Sequence, residues 1–475
     1  MTKHLFTIAV CAFIVVQAPA ATAVRPDPSF TKLWSHEHVA PGQVSEIPAY
    51  DKKTNTIWVA GIVGVDVLAA GTGDLVQHID VTPYGFVNSV SIHDGLAALA
   101  VEASPDRRNP GSVLLYDTAT RSPASGINRI PVGSLPDMLV FTHDGSKLLV
   151  ANEATPNAVA DTPYTTPDPS GSVTIIDMET RTVAATAGFA GVPRVGQNIR
   201  LNTGMDFEPE YIAVDHSGKR AFVTLQEANA VAELDLTLNA FTQIVGLGAK
   251  DFSLAGNAID PKDNDGVVLF RQVAAKGLYM PDSIAAYKWV GHDYLVMANE
   301  GDFREDNADR AAAGAFGFTA PLDRLRVTTT DSSAGAIFAA GARSFSIRDA
   351  DGNLVYDSGN ILDTEANRRG VYDDSRSRDK GVEPEGVALL EAAGRTYAFV
   401  GLERATTAAV AVFDISDPFD VRFVDMIVTP GDRSPEGLAV YKDAGQYYLA
   451  IANEVPGDGT TFTHTTLYRV DFLKH

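Results

Sequence analysis

The chain has 475 residues, with 38 Lys and Arg against 60 Asp and Glu and a formal net charge of −22. A surface that negative repels phosphate backbones and anionic lipid, which argues against nucleic-acid partners and membrane insertion. The single cysteine, Cys11, excludes an internal disulfide and any multi-thiolate metal site.

Met1-Thr2-Lys3-His4 precedes an apolar run from Leu5 to Val16 and the small-residue stretches Ala18-Pro19-Ala20 and Ala21-Thr22-Ala23. A basic start, a short hydrophobic stretch and an A-x-A site predict a signal peptide over residues 1–23 and a mature domain over 24–475. The run is shorter than the roughly 20 residues that a bilayer span needs. The expected product is exported and soluble, periplasmic or extracellular. Cys11 leaves with the signal, and the loss of Lys3 takes the net charge to −23.

From residue 45 onward one segment recurs. It opens with an acid, often after Pro, runs as an alternating strand, turns on a short polar hairpin and returns as a second strand ending in Asn-Glu or similar. The openings are Ser45-Glu46, Val87-Asn88, Pro136-Asp137, Pro209-Glu210, Pro281-Asp282, Pro384-Glu385 and Pro435-Glu436. The returns end at Glu102, Glu153, Glu227, Glu300, Glu403 and Glu454, and the first unit ends near Ala60-Gly61. Acid-to-acid spacings of 16, 17, 18, 18 and 18 residues in the last five units suit two short strands and a tight turn. A third strand ending in Asp follows, as at Asp117, Asp177 and Asp414. This rhythm, almost without helical periodicity, predicts an all-β fold: a seven-bladed β-propeller of four-stranded antiparallel blades. The segment Phe30 to Val39 is expected to supply the outermost strand of the last blade.

That topology puts every opening acid and every returning Glu on one face. The long stretches Ala154 to Ser170, Ala187 to Phe207, Gly301 to Ala342 and Ile361 to Val382 lie on the same side, where long loops imply a covered pocket. Crowded carboxylates need a positive counterpart, and oxygen-only surroundings favour a hard cation, Ca²⁺ first and Mg²⁺ second. In the fifth and sixth units the acids stand beside arginines. Glu300, Asp302, Glu385 and Glu403 are the candidate metal ligands, and Arg304, Arg378 and Arg404 the candidate grips for a phosphate. A cation that polarises a phosphoryl oxygen and guanidinium groups that hold the others are the requirements of phosphoester hydrolysis. The same residues also suit a network of ion pairs bracing neighbouring blades.

Other motifs point to ordinary structure. Asp349-Ala350-Asp351-Gly352-Asn353 reads as a hairpin turn, and Asp260 to Gly266 as a solvated loop. Ser35-His36-Glu37-His38 has the residue types of a metal site, but His36 and His38 alternate along the closing strand and are expected to share its solvent face for ordinary reasons. There is neither a G-x-S-x-G elbow nor a P-loop.

Several phrases resemble the choice-of-anchor I family of secreted propellers. They are Leu135-Pro136-Asp137-Met138-Leu139, Asp206 to Val214, Tyr279-Met280-Pro281-Asp282, Ala298 to Asp302, Arg343 to Ile347, Asp379 to Gly386 and Ala398 to Arg404. The family includes a mesenchyme-specific cell-surface glycoprotein group and bacterial members described as alkaline phosphatases. The resemblance implies an exported metal-dependent phosphoesterase with a small phosphorylated substrate, or a non-catalytic propeller that recognises a cation or a surface ligand. The segment Asp471 to His475 carries no sorting signal or membrane tail, and Leu225 to Ala230 departs from the family's glutamine-rich phrase.

Overall fold

The computed structural model describes residues 27–154, 169–200, 207–304 and 307–472. The expected signal peptide with Cys11, and parts of the expected loops at 154–170 and 187–207, lie outside them.

Seven sheets among the described residues contain a path of four antiparallel strands, one for each predicted opening. Their first two strands are Pro48–Asp51 and Thr56–Gly61, Phe86–His93 and Leu96–Glu102, Pro136–Phe141 and Lys147–Asn152, Pro209–Val214 and Arg220–Leu225, Ile284–Trp289 and His292–Asn299, Pro384–Ala392 and Arg395–Leu402, and Arg433–Asp443 and Gln446–Val455. First strands of successive sheets pack on one another, and that of the seventh packs on that of the first. The seventh sheet takes its fourth strand from the other end of the chain, where Ser29–Glu37 pairs antiparallel with His464–Asp471. The arrangement is all-β and propeller-like.

Second strands are continuous apolar runs because sheets cover them on both sides. Ile57, Trp58, Val59 and Ala60 are all fully buried. Trp58 and Val67 of the first sheet pack against Val87 and Leu99 of the second, and Ala100 of the second against Leu139 and Val150 of the third. Where an Asp closes the third strand, it makes the following turn. Asp117 and Asp177 accept the backbone N–H of Thr120 and Thr180, and Asp414 that of Ser416, as short acidic side chains do at turns.

The insertions build small elements of their own. Ala249–Asp251, Lys276–Leu278 and Phe338–Ala339 form a three-stranded sheet, Arg310–Ala312 pairs with Arg326–Thr328, and one helix, Ile361–Arg368, follows the fifth sheet. Leu362 and Ala366 of that helix are buried between the fifth and sixth sheets. The stretches 301–342 and 361–382, expected as loops, thus carry short strands and the helix.

Candidate functional site

The opening acids are aimed by the backbone. Register shifts interrupt the first strands at Val87/Ser89, Pro136/Leu139, Pro209/Ile212, Pro384/Val387 and Pro435/Leu438. Asn88, Asp137, Glu210, Glu385 and Glu436 sit inside these bulges, which re-aim a side chain out of the pleat. In four units the residue before the proline is left-handed: Leu135 (φ 44°), Met280 (45°), Glu383 (52°) and Ser434 (51°). Such backbone costs about 1–3 kcal/mol apiece outside glycine and persists where the surroundings require it.

At the end of the returning strand, Asn and Glu divide the work. Asn152, Asn299 and Asn453 are fully buried. Asn152 donates to Thr174 Oγ1 and accepts Gly133 N–H, Asn299 bonds Ser344 and Ser346, and Asn453 donates to the His464 carbonyl. The asparagines lock the second strand to the third. The glutamates that follow are left to face a shared cavity.

That cavity has a volume of about 420 Å³ and is lined by thirteen carboxylates against five cationic side chains. The acids include Glu153, Glu210, Glu227, Asp282, Glu300, Glu385, Glu403, Glu436 and Glu454, so five of the seven sheets contribute. A second space of about 260 Å³ shares Glu210, Asp282 and Glu436 and continues to Glu46, Asn88, Arg107 and Asp137. A third, also about 260 Å³, shares Met138 and Tyr211 with the second and reaches apolar walls at Leu139 and Val140.

Three overlapping triads bring carboxylate oxygens within 4.8 Å of one another: Asp282, Glu300 and Glu385; Glu300, Glu383 and Glu403; and Glu385, Glu403 and Glu436. Glu300, Glu385 and Glu403 therefore meet. Asp302 lines the same cavity but its side chain is half exposed and belongs to none of the triads.

The chain places its own cation here. Lys380 Nζ lies 2.5 Å from Glu300 Oε1, 3.0 Å from Glu383 Oε2 and 3.5 Å from Asp302 Oδ1. Gln226 Nε2 donates to the other Glu300 oxygen at 2.8 Å. Arg376 Nε donates to Glu383 at 2.6 Å, Arg404 Nη2 lies 2.6 Å from Glu403, and Arg326 pairs with Asp379 at 2.9 Å. Arg310, Arg326, Arg376 and Arg404 line the cavity with Lys380. Arg304 and Arg378 stand outside this lining. Buried Arg304 pairs with Glu208, itself a lining residue, at 3.1 Å, and Arg378 with Asp263 at 3.5 Å.

Desolvation, then mutual repulsion, pushes Glu210, Asp282, Glu385 and Glu436 well above the usual carboxylate range. Burial, then the charge of Glu300, takes Glu403 to about 8. Burial and Asp302 raise Glu227 to about 7, and burial raises Asp137 to about 6 against the pull of Arg107. Burial also raises Glu300, with Lys380 opposing. For Lys380, burial works downward, but Asp302, Glu300 and Glu383 outweigh it and hold the ammonium well above the usual lysine range. Glu227 Oε2 and Glu385 Oε2 are closed off from solvent and have no hydrogen-bond partner. An anionic oxygen in that state costs free energy until a proton or a cation meets it.

Sequence reasoning did not single out Lys380, Glu383 or Arg376. All three fall in the mixed run Asp373 to Glu385, whose charges carry no spacing signal, and Lys380 meets Glu300 across 80 residues. Two other readings are corrected. His38 faces the interior, fully buried, with Nδ1 2.7 Å from Asp66 Oδ2 and Nε2 2.8 Å from Thr465 Oγ1. Asp260 and Asp263 are buried, Asp260 accepting Leu269 N–H and Asp263 pairing with Arg324, so this loop is anchored. Asp349 to Asn353 does form a hairpin turn, with Gly352 at φ 82° and Asp349 accepting the N–H groups of Asp351 and Asn353.

A model of the choice-of-anchor I domain matches residues 46–418. No curated protein matches the chain. Among solved structures, hydrazine synthase of Kuenenia stuttgartiensis is similar with a TM-score of 0.51 at 11% identity, over 88% of this chain and 94% of that one. A chain of the mitotic checkpoint complex is similar with a TM-score of 0.52 at 11% identity, over 98% and 99%. At such identity the likeness concerns the fold alone.

Proposed function

Since the chain belongs to the choice-of-anchor I family, we propose an exported seven-bladed β-propeller whose acidic cavity binds a hard divalent cation and hydrolyses a small phosphate ester. The propeller reading is supported by the cycle of first strands and by the strand exchanged between the chain ends. No helix among the described residues is long and apolar enough to cross a membrane.

The observation that carries the cation is the pair of buried, partnerless oxygens on Glu227 and Glu385 beside the three carboxylate triads. All-oxygen donors select Ca²⁺, with Mg²⁺ second. Such an ion would polarise a phosphoryl oxygen. Arg404, Arg376, Arg326 and Arg310 on the same wall suit the remaining oxygens, because guanidinium groups make paired hydrogen bonds to phosphate. The test is a panel of phosphate monoesters and diesters assayed on metal-stripped protein with and without Ca²⁺ or Mg²⁺, beside direct calorimetry of ion binding. Ion binding with ion-dependent turnover is the expected result, and no turnover of any ester in ion-loaded protein overturns the catalytic reading.

One observation favours a second reading. Lys380 already fills the space between Glu300 and Glu383, and Arg376, Arg404 and Arg326 are each engaged by a carboxylate. A site so balanced suits recognition of a cationic or surface ligand without chemistry. Ion binding in the absence of turnover selects it.

A further inference from the structure

A second cluster, far from the carboxylates in chemistry, lies where the N-terminal strand meets the first sheet. The strand Ser29–Glu37 turns one face toward that sheet. Trp34 Nε1 donates to the Ala70 carbonyl at 3.0 Å, and its ring would collide with any side chain added at Gly73. His36 follows Trp34 at the alternate position and shares this face, and His38, one residue past the end of the strand, meets both His36 and Asp66. Their rings stand edge to face with centroids 5.0 Å apart. Opposite them lies Asp66, on the buried strand Gly64–Ala69.

One ring nitrogen from each histidine and one oxygen of Asp66 lie within 4.8 Å of one another. The outer contacts are already in place. His38 Nε2 is held by Thr465 Oγ1 at 2.8 Å, and Thr465 by Ser45 Oγ at 2.7 Å. The second Asp66 oxygen is held by His78 Nδ1 at 2.6 Å. Hydrogen bonds of this kind on the far side of a ligand fix its tautomer and orientation in metal sites.

His36 is the residue that ordinary packing does not explain. Its Nε2 is closed off from solvent and has no hydrogen-bond partner. A buried histidine satisfied on both sides, as His38 is, needs no ion. A buried lone pair beside a second imidazole and a carboxylate is a donor set without an acceptor.

We propose that His36, His38 and Asp66 bind a transition-metal ion across the seam between the N-terminal strand and the first sheet, with Zn²⁺ as the ion these donors favour. Imidazole nitrogen suits Zn²⁺, whereas Ca²⁺ and Mg²⁺ require oxygen, so this site and the acidic cavity select different ions. On binding, the ion takes the place of the hydrogen bond between His38 Nδ1 and Asp66 Oδ2 at 2.7 Å, and the neutral ring carries its one N–H on Nε2, where Thr465 Oγ1 accepts it. Three protein ligands leave a fourth position for water.

The experiment uses the full chain, stripped with a chelator and refilled with Zn²⁺ in excess Ca²⁺, so that the carboxylate cavity is occupied. Uptake of one Zn²⁺ and visible absorption bands of a four-coordinate Co²⁺ derivative are expected. His36 is only partly buried and lies on an outer strand, so His36→Ala should fold, and its Zn²⁺ dissociation constant should rise more than about 100-fold, beyond the loss typical of an outer contact. Glu403→Gln should leave Zn²⁺ binding unchanged. Zn²⁺ uptake that survives in His36→Ala, uptake lost in His464→Gln instead, or no uptake by the wild-type chain would each overturn the proposal. None of these readouts depends on phosphate-ester turnover.

Discussion

Replacing Lys380 with Met removes the one buried ammonium in the acidic cavity while keeping most of its packing volume. Its side chain is 8% exposed and its nitrogen touches carboxylates of Glu300, Glu383 and Asp302. Taking one partner from a buried pair costs about 3–5 kcal/mol, because the other charge is left without compensation. The loss should be largest at alkaline pH and shrink toward acid, where Glu300 and Glu403, both raised, can take up protons instead. The vacated space is also a better cation site than the wild-type one. At free Ca²⁺ about 100 times the dissociation constant, binding returns about 2.7 kcal/mol. Chemical denaturation in chelator and in Ca²⁺ reads both effects. Lys380→Met should unfold at lower denaturant than wild type in chelator, and Ca²⁺ should stabilise it more than it stabilises wild type. An unchanged midpoint in chelator, or a Ca²⁺ response no larger than that of wild type, would refute the reasoning.

Stability of the metal-stripped protein should fall as pH rises from about 4.5 to about 8. Glu403 (about 8), Glu227 (about 7) and Asp137 (about 6) hold protons in the folded state that the unfolded chain has already released. Each contributes a slope of up to about 1.4 kcal/mol per pH unit between its unfolded and folded values. A flat or rising profile in denaturant melts with chelator contradicts this, and Ca²⁺ should flatten the decline. Glu300→Gln and Glu403→Gln should each weaken Ca²⁺ binding at least tenfold, about 1.4 kcal/mol, in calorimetry. Glu153→Gln, which belongs to a separate triad with Asp137 and Glu210, should be much milder, and equal effects at all three would mean a repeated brace. Arg404→Lys should lower ester turnover while sparing the fold, since an ammonium cannot reproduce the planar two-pronged contact; full activity would remove Arg404 from the site.

The strand framework was legible because its signals are local. Pro with an acid, a polar hairpin and a closing Asp recur, and they perform the same tasks in most of the sheets: a bulge in five first strands, a turn, and a turn cap. The shared face of Glu210, Glu300, Glu385 and Glu403 followed from topology alone. What escaped depends on contacts between distant segments. The helix Ile361–Arg368 is two turns long and buries only Leu362, Asp363 and Ala366, too few for a periodic signal. The strands Lys276–Leu278 and Phe338–Ala339 are three and two residues long and exist because they find each other. Lys380 was one charge in a run of alternating signs, and only folding shows which carboxylates it meets. For Arg304 and Arg378, adjacency to the acids in sequence did not give position on the cavity wall, because Glu208 and Asp263 hold them behind it.

The strand Ser29–Glu37 sets a schedule for folding. Thr31 reaches Asp471 across 440 residues, so the seventh sheet stays one strand short until the last segment has been made. At synthesis rates of about 5–20 residues per second, the first strand waits on the order of tens of seconds for its partner. During that interval Ser29–Glu37 has no partner, and an unpaired strand invites pairing with other chains. A chain that completes itself last at its beginning therefore gains from being kept unfolded until all of it is present. Its final step is an association of its two ends, and a detached Ser29–Glu37 peptide should be able to supply that strand to a chain that lacks it.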